Sequence, residues 1–417
     1  LHQGIVHPGS GIEALQARFE QLFGYPSKAG NWEAEILPAR VDPFSPAWID
    51  SLFTESGLGW FGSGNEEIYF AFAEDRELFQ QPGPGANRET YTSSQPGVSR
   101  TDPPSRTQGL SDEESLLYGQ LKERGKMDLS ELILKTGMHS EEAARAVWSL
   151  AWKGLITNTT FSAVRKGVLN KFRYDAGARR DRPSGRRTGF SRWKNSRPFI
   201  GSWYIPPGDV SSPDPILQEE LNRERVRILL DRYGIIFKEL CRRELPALSW
   251  SNLLRTLRLM ELSGELVAGR FFDGVSGLQF CSPGVLRKLT EFPPDEPVFW
   301  VNAADPASVC GLDIEALKGS LPSRISSNYV VYRGARPVLV VRKNGKEADC
   351  RFDPGSPRAQ EYLQVFHHLV ARDFNPFSAV KTEIINQVSA GESSYLDDFL
   401  AAGFRKDYKT LVLRKQY

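Results

Sequence analysis

Residues 250–280 read WSNLLRTLRLMELSGELVAGRFFDGVSGLQF, and a change of period inside this stretch decides the fold. From Ser249 to Leu262 the apolar residues Leu253, Leu257 and Met260 fall at i, i+4 and i+7, which puts them on one side of a helix and makes that side the buried one. Asn252, Arg255 and Arg258 fall at i, i+3 and i+6 on another face, free to meet a partner. A solvated face that only keeps the unit soluble is the plainer alternative. Beyond the helix, Glu265 to Ala268 reads as a strand. Gly269-Arg270-Phe271-Phe272-Asp273-Gly274 reads as a tight turn, and Gly277-Leu278-Gln279-Phe280 as the return strand. Helix followed by hairpin is the second half of a winged helix, with Arg270 near the tip of the wing.

Upstream, a helix from about Gln218 to Tyr233 and a short one from Phe237 to Arg243 complete that unit, and the same order stands earlier in the chain. Ser111 and Glu114 have capping-box spacing and start a helix with Leu116, Leu117 and Leu121 on its apolar side. Asp128 is expected to cap a second helix through Leu134 and, after a turn at Gly137, Ser140 a third through Trp152. Gly154-Leu155-Ile156-Thr157 then reads as a wing strand. In the third helix Ala144, Val147 and Ala151 face inward, which leaves Arg145 and Lys153 for a partner; Trp148 and Trp152 read as packing groups.

Between the two units, twelve of the 33 residues from Arg165 to Arg197 are Lys or Arg, against two acids, Asp175 and Asp181. The whole chain carries only +2, so a segment at +10 leaves the other residues at −8, and the positive potential is concentrated rather than spread. A patch of that kind is the footprint of phosphate binding. Arg179, Arg180, Arg182, Arg186, Arg187, Arg192 and Lys194 are its candidate contacts, with Phe190 and Trp193 as candidate stacking groups. A solvated basic linker without a dedicated partner is the alternative.

The rest of the chain divides by composition. Residues 1–80 read as an N-terminal α/β module, and 81–110, dominated by Pro, Gly, Ser, Thr and Gln, as a linker. The first winged helix occupies 111–164, the basic segment 165–215 and the second winged helix 216–292. Short strands with an Asn344-Gly345 hairpin turn over 293–355 are expected to form a small antiparallel β-barrel, and 356–417 an α/β tail. The fold class is thus α+β: tandem winged helices followed by a small β-barrel.

The sequence excludes several chemistries. It has no GxxxxGK[ST] loop, no GxSxG, no HExxH and no GxGxxG after a strand, so an ATPase motor, a hydrolase elbow, a zincin and a dinucleotide site lack support. Cys241, Cys281, Cys310 and Cys350 are far apart and read as buried thiols, and no metal or cofactor is expected. The adjacent His367 and His368 point about 100° apart on a helix and read as an ordinary surface pair. No run of 18 apolar residues exists, so no membrane is expected as a partner and the cytoplasm is the expected location. Base excision needs only one carboxylate near the sugar and a pocket for a flipped base, and Asp273, Asp305, Asp397 and Asp398 are candidates by type alone. Each is more simply a turn or capping acid, and no catalytic residue is assigned.

Four motifs carry a resemblance: Asn31-Trp32-Glu33 through Ile36-Leu37-Pro38-Ala39-Arg40-Val41; Val147-Trp148-Ser149-Leu150 with Gly154-Leu155-Ile156-Thr157-Asn158; Gly269-Arg270-Phe271-Phe272 with Gly277-Leu278-Gln279-Phe280; and Asn302-Ala303-Ala304-Asp305-Pro306. They stand in the order found in Lhr, the large helicase-related proteins of bacteria, and the chain resembles the C-terminal, non-motor part of such a protein over about residues 1–80 and 110–355. The resemblance implies tandem winged helices and a small β-barrel, similar to the architecture of some alkyl-base DNA glycosylases. It further implies an upstream motor, the only place for ATP and Mg²⁺, that moves on single-stranded DNA, unwinds RNA:DNA hybrids and serves DNA repair.

Three readings follow. The first is a nucleic-acid-binding region, also able to oligomerise, that holds single-stranded DNA or an RNA:DNA hybrid for the upstream helicase core. The second is a monofunctional uracil-DNA glycosylase with its pocket between the second winged helix and the barrel, and the third a structural domain that only assembles copies of the chain.

Overall fold

A computed structural model of the protein describes residues 2–81, 109–173, 200–208, 214–289 and 296–415. The N-terminal module opens with α1 (Gly11–Gln21), β1 (Ser27–Lys28) and a helical turn, Ala29–Asn31, that widens into a π-helical stretch over Trp32–Ile36. It continues with α2 (Pro46–Glu55), β2 (Leu58–Gly64) and β3 (Glu67–Phe72), paired antiparallel in the order β1-β3-β2. That order is the strand arrangement of a winged helix, so the module read from sequence only as α/β has the same plan as the units after it.

The middle unit carries α3 (Asp112–Arg124), α4 (Leu129–Thr136) and α5 (Ser140–Trp152). Capping decides two of the three starts. The Ser111 hydroxyl accepts from the Glu114 amide at 3.2 Å while the Glu114 carboxylate accepts from the Ser111 amide at 2.9 Å. Asp128 and Glu131 repeat the exchange at 2.8 and 3.0 Å. Ser140 departs from expectation: it is the first helical residue, and the cap position belongs to His139, whose side chain makes no capping bond.

Beyond α5 the pairing differs from the sequence reading in a way that bears on function. β4 (Thr157–Asn158) pairs antiparallel with β5 (Trp203–Tyr204), and Met127, between α3 and α4, bridges to Trp203. The order Met127-β5-β4 repeats β1-β3-β2. Residues 159–202 therefore stand between the two wing strands of the middle unit, where the sequence reading had set the basic run between two modules. The run begins on α6 (Phe161–Leu169), whose Arg165 holds Glu33 at 2.6 Å and Asp50 at 2.9 Å and ties the middle unit to the first. A second tie needs glycine: a Cβ on Gly62 of β2 would stand 1.9 Å from the carbonyl oxygen of Ala151 in α5.

The third unit follows the expected pattern, with α7 (Pro215–Tyr233), β6 (Ile235–Ile236), α8 (Lys238–Cys241), α9 (Trp250–Leu262), β7 (Val267–Gly269) and β8 (Gln279–Cys281) in strand order β6-β8-β7. A short α10 (Pro283–Leu289) closes it. Leu253, Leu257 and Met260 are fully buried, as their spacing requires. One apolar cluster runs from Leu15 to Phe280 through all three units.

The last part of the chain corrects the expected barrel. β9 (Val298–Asn302), β10 (Tyr329–Arg333), β11 (Arg336–Arg342) and β12 (Glu347–Cys350) form an antiparallel meander. β13 (Ala379–Thr382) leaves it, but β14 (Ile384–Ile385) adds parallel to β12 and β15 (Val388–Ser389) adds to β14. The result is a six-stranded sheet with β9 and β15 at its ends, and no closed barrel among the described residues. The physical reason is a competing partner: the tail supplies strands to β12 that closure on β9 would otherwise have to supply. It also supplies a cover. α11 (Ala359–Ala371) lays Leu363, Phe366 and Leu369 over Tyr329, Val331, Leu339 and Val341. α12 (Leu396–Ala401), β16 (Arg405–Asp407) and β17 (Thr410–Arg414) complete that core.

Candidate functional site

The third unit presents the helix face that its sequence period marks out. Asn252, Arg255 and Arg258 are all exposed on α9. Asn252 donates to the Pro246 carbonyl at 2.9 Å and Arg258 pairs with Glu261 at 2.8 Å, so both are partly committed within the unit. Arg255 and Arg270 are exposed and have no ion-pair partner among the described residues, which makes them the two cations of this surface open to a phosphate. Arg270 sits where expected, just past β7. Gln279 closes the wing behind it, accepting from the Phe271 and Phe272 amides at 2.9 Å and donating to the Phe272 carbonyl at 3.0 Å.

In the middle unit Arg145 is exposed on α5, but Lys153 is not free. Its ammonium lies 2.6 and 2.8 Å from the two carboxylate oxygens of Glu114, which also accepts from Ser149 at 2.5 Å. Burial alone raises the Glu114 pKa, yet these hydrogen bonds hold the carboxyl below its ordinary value. Lys153 therefore serves the capping box first. Trp148 is buried and Trp152 half-buried against it, as packing groups. Arg179, Arg180, Arg182, Arg186, Arg187, Arg192 and Lys194, with Phe190 and Trp193, lie outside the described residues.

Two cavities flank the sheet. One, of about 1,130 Å³, lies between the third unit and β9, where the sequence reading expected a pocket, and is walled by Ile235, Phe237, Phe272, Val301 and Leu312. Its one carboxylate, Asp273, is exposed on the wing. The other, of about 350 Å³, lies where the N-terminal module meets β9 and the end of α11. Its buried group is Glu35, on the π-helical stretch. One Glu35 oxygen accepts from the Tyr329 hydroxyl at 2.7 Å and from the Arg372 guanidinium, and the other lies 3.1 Å from His368 Nε2. Burial first, and then the Glu35 charge, push the Tyr329 hydroxyl well above its usual range, so it stays a proton donor. Trp300 and Phe44 wall the opening, and Asp42 and Asp373 are exposed at its rim.

The winged-helix domain of the large helicase-related protein matches this chain twice, at residues 2–73 and 216–300. An Escherichia coli relative, the Lhr helicase/uracil glycosylase, is 26% identical over 365 residues, which is 81% of this chain and 22% of that protein. A Mycolicibacterium smegmatis relative, the Lhr helicase/probable uracil glycosylase, is 26% identical over 368 residues, 82% of this chain and 23% of that protein. This chain belongs to the large helicase-related family, as its C-terminal, non-motor region. It spans about a fifth of the length of the relatives it matches. Among solved structures, the Streptomyces sahachiroi DNA glycosylase AlkZ aligns over 88% of this chain and 93% of its own, at 14% identity and a TM-score of 0.48. A likeness at that level carries no argument about activity.

Membership in the large helicase-related family gives the quoted motifs a physical meaning. Leu37-Pro38-Ala39-Arg40-Val41 and Asn302-Ala303-Ala304-Asp305-Pro306 are two halves of one contact: both Arg40 terminal nitrogens donate to Asp305 at 2.8 Å, with the side chains 0% and 1% exposed. This removes Asp305 from the candidate carboxylates. Asp398 accepts from the Gly355 amide at 3.0 Å, an ordinary turn contact. The histidine pair is split as the helix period requires, with His367 on the Ala402 carbonyl at 2.8 Å. Its neighbour, however, is no idle surface residue. Sequence reasoning missed Glu35, His368 and Arg372 as a group because 333 and 337 residues separate the partners. No local signal marks Glu35: Trp32–Ile36 holds two acids, Glu33 and Glu35, and only the fold shows that every residue there is buried.

Proposed function

We propose that this region holds nucleic acid for the motor of a large helicase-related protein, gripping single-stranded DNA or an RNA:DNA hybrid through the wing of the middle winged helix and the α9 face of the third. The observation that carries this reading is the pairing of β4 with β5, two strands that flank the basic run in the sequence. Phosphate contacts dominate such binding and make it salt-dependent. On this reading ATP and Mg²⁺ are used by the upstream helicase core. The test is binding to a labelled single strand across a salt series, comparing the native chain with one in which Arg179, Arg180, Arg182, Arg186 and Arg187 are Gln. The log–log slope should fall by roughly 0.7 to 0.9 for each phosphate that is no longer neutralised. An unchanged slope would contradict the proposal.

A second reading, base excision, is favoured by the cavity at Glu35 and by the names of the two relatives, both of which include uracil glycosylase. It expects alkali-sensitive cleavage at a uracil without ATP.

A further inference from the structure

We propose that the Glu35 cavity is a nucleobase pocket in which His368 is the general base of a hydrolytic excision, held in position by Glu35; this rests on the base-excision reading above. The two ring nitrogens of His368 stand in different surroundings. Nε2 lies 3.1 Å from the Glu35 carboxylate, an acceptor, so Nε2 carries the proton and Nδ1 is left with its lone pair. Nδ1 has no partner among the described residues, and it is absent from the buried polar atoms that lack one, so it is accessible on a side chain that lines the cavity. A carboxylate that fixes the tautomer and leaves the second nitrogen free to take a proton is the base–orienter arrangement of hydrolytic sites.

Glu35 is itself held. Tyr329 from β10 and Arg372 at the end of α11 both donate to it, so its oxygens cannot turn toward a substrate and its role is positioning. The remaining charged groups of the cavity are Asp42 and Asp373, both exposed at the rim. Their negative charge suits the positive charge that develops on a sugar as its glycosidic bond breaks. Trp300, half-buried with its ring 5.9 Å from that of His368, offers a face on which a flipped base can stack beside the catalytic nitrogen. A volume of about 350 Å³ is at the small end of ligand pockets, which run from roughly 300 to 1,000 Å³.

The step balances with water as the only co-reactant. Water attacks the anomeric carbon, a C–O bond forms and the C–N bond breaks with its electron pair going to the base nitrogen. The proton that water loses passes to His368 Nδ1 and then to the departing base. Free base and an abasic sugar are the products, and no oxidant or reductant is needed.

The test uses single-turnover cleavage of a single-stranded oligonucleotide carrying one uracil, with DNA retention and thermal unfolding measured on the same samples. His368→Ala should lower the rate by roughly 10²- to 10⁴-fold, the range for general acid–base catalysis, while retention and unfolding temperature stay native. Glu35→Gln should slow the reaction, and Glu35→Gln/His368→Ala should be no slower than His368→Ala alone, a coupling that a merely structural role would not give. Native excision with His368→Ala within threefold of it would overturn the proposal and leave the base-excision reading standing. A native chain that retains DNA and never cleaves would overturn both. Should His368→Ala fail to fold, His368→Gln decides, since its amide can keep the bond to Glu35 while offering no base: a loss of the same size is expected, and excision within threefold of native would overturn the proposal.

Discussion

Replacing Asp305 by Asn leaves the Arg40 guanidinium without its counter-charge, and the structure sets how much that costs. The pair is sealed: Arg40 is 0% exposed, and its two terminal nitrogens make the fork-to-fork contact at 2.8 Å on each arm. Gln3 at 2.6 Å and the Ile36 carbonyl at 2.8 Å each take a second hydrogen from the two terminal nitrogens, but neither is charged, and Nε is buried without a partner among the described residues. Breaking a buried pair by removing one partner typically costs about 3 to 5 kcal/mol, because the other charge stays buried. Asp305→Asn and Arg40→Met should each lose an amount in that range in urea unfolding followed by tryptophan fluorescence. The double variant Arg40→Met/Asp305→Leu buries no charge and should recover much of it, giving a coupling of at least about 2 kcal/mol in the double-mutant cycle. Gln3, Ile36 and the Ala307 amide, which donates to Asp305 at 2.8 Å, lose their partners in that variant, so recovery stays incomplete. Single losses under about 1 kcal/mol, or a double variant as unstable as the sum of the singles, would show that a stranded charge at this site costs little.

The other predictions concern the interface and the thiols. Arg255→Ala with Arg270→Ala should leave the unfolding transition near native and reduce the salt slope of DNA binding by about 1 to 2, since neither guanidinium has an ion-pair partner among the described residues to lose; a native slope would remove this face from the interface. Burial pushes the Cys241 and Cys350 thiols well above their ordinary value of 9.0. The unfolded chain therefore loses these protons above about pH 9 while the folded chain keeps them, so stability is full below that pH and falls as pH rises. The slope is about 1.4 kcal/mol per pH unit for each thiol. Urea midpoints from pH 8 to 10 should decline, and less steeply in a Cys241→Ala/Cys350→Ala variant; equal pH dependence in the two proteins would contradict this.

What the sequence made legible was what one element states by itself. The period of Leu253, Leu257 and Met260, the Ser111–Glu114 and Asp128–Glu131 boxes and the wing around Arg270 are local, and each stands in the structure as read. The open sheet was not legible, because β12 chooses between β9 and the tail strands by long-range packing that no window of sequence contains. The wing insertion was hidden for the same reason: Thr157 finds Tyr204 across the whole basic run, and nothing in that run declares which strands flank it. The cavity is the extreme case. Nothing in the sequence sets Glu35 apart, and only the fold brings Tyr329, His368 and Arg372 to it from two distant elements.

The most direct test is retention of an end-labelled single strand and of the matching duplex by the native chain, without ATP, from 50 to 200 mM salt. Retention should fall steeply and log-linearly with salt, as a wing and helix face bound to several phosphates require. Negligible retention at the lowest salt, or retention indifferent to salt, would mean that this region does not hold nucleic acid through its phosphates.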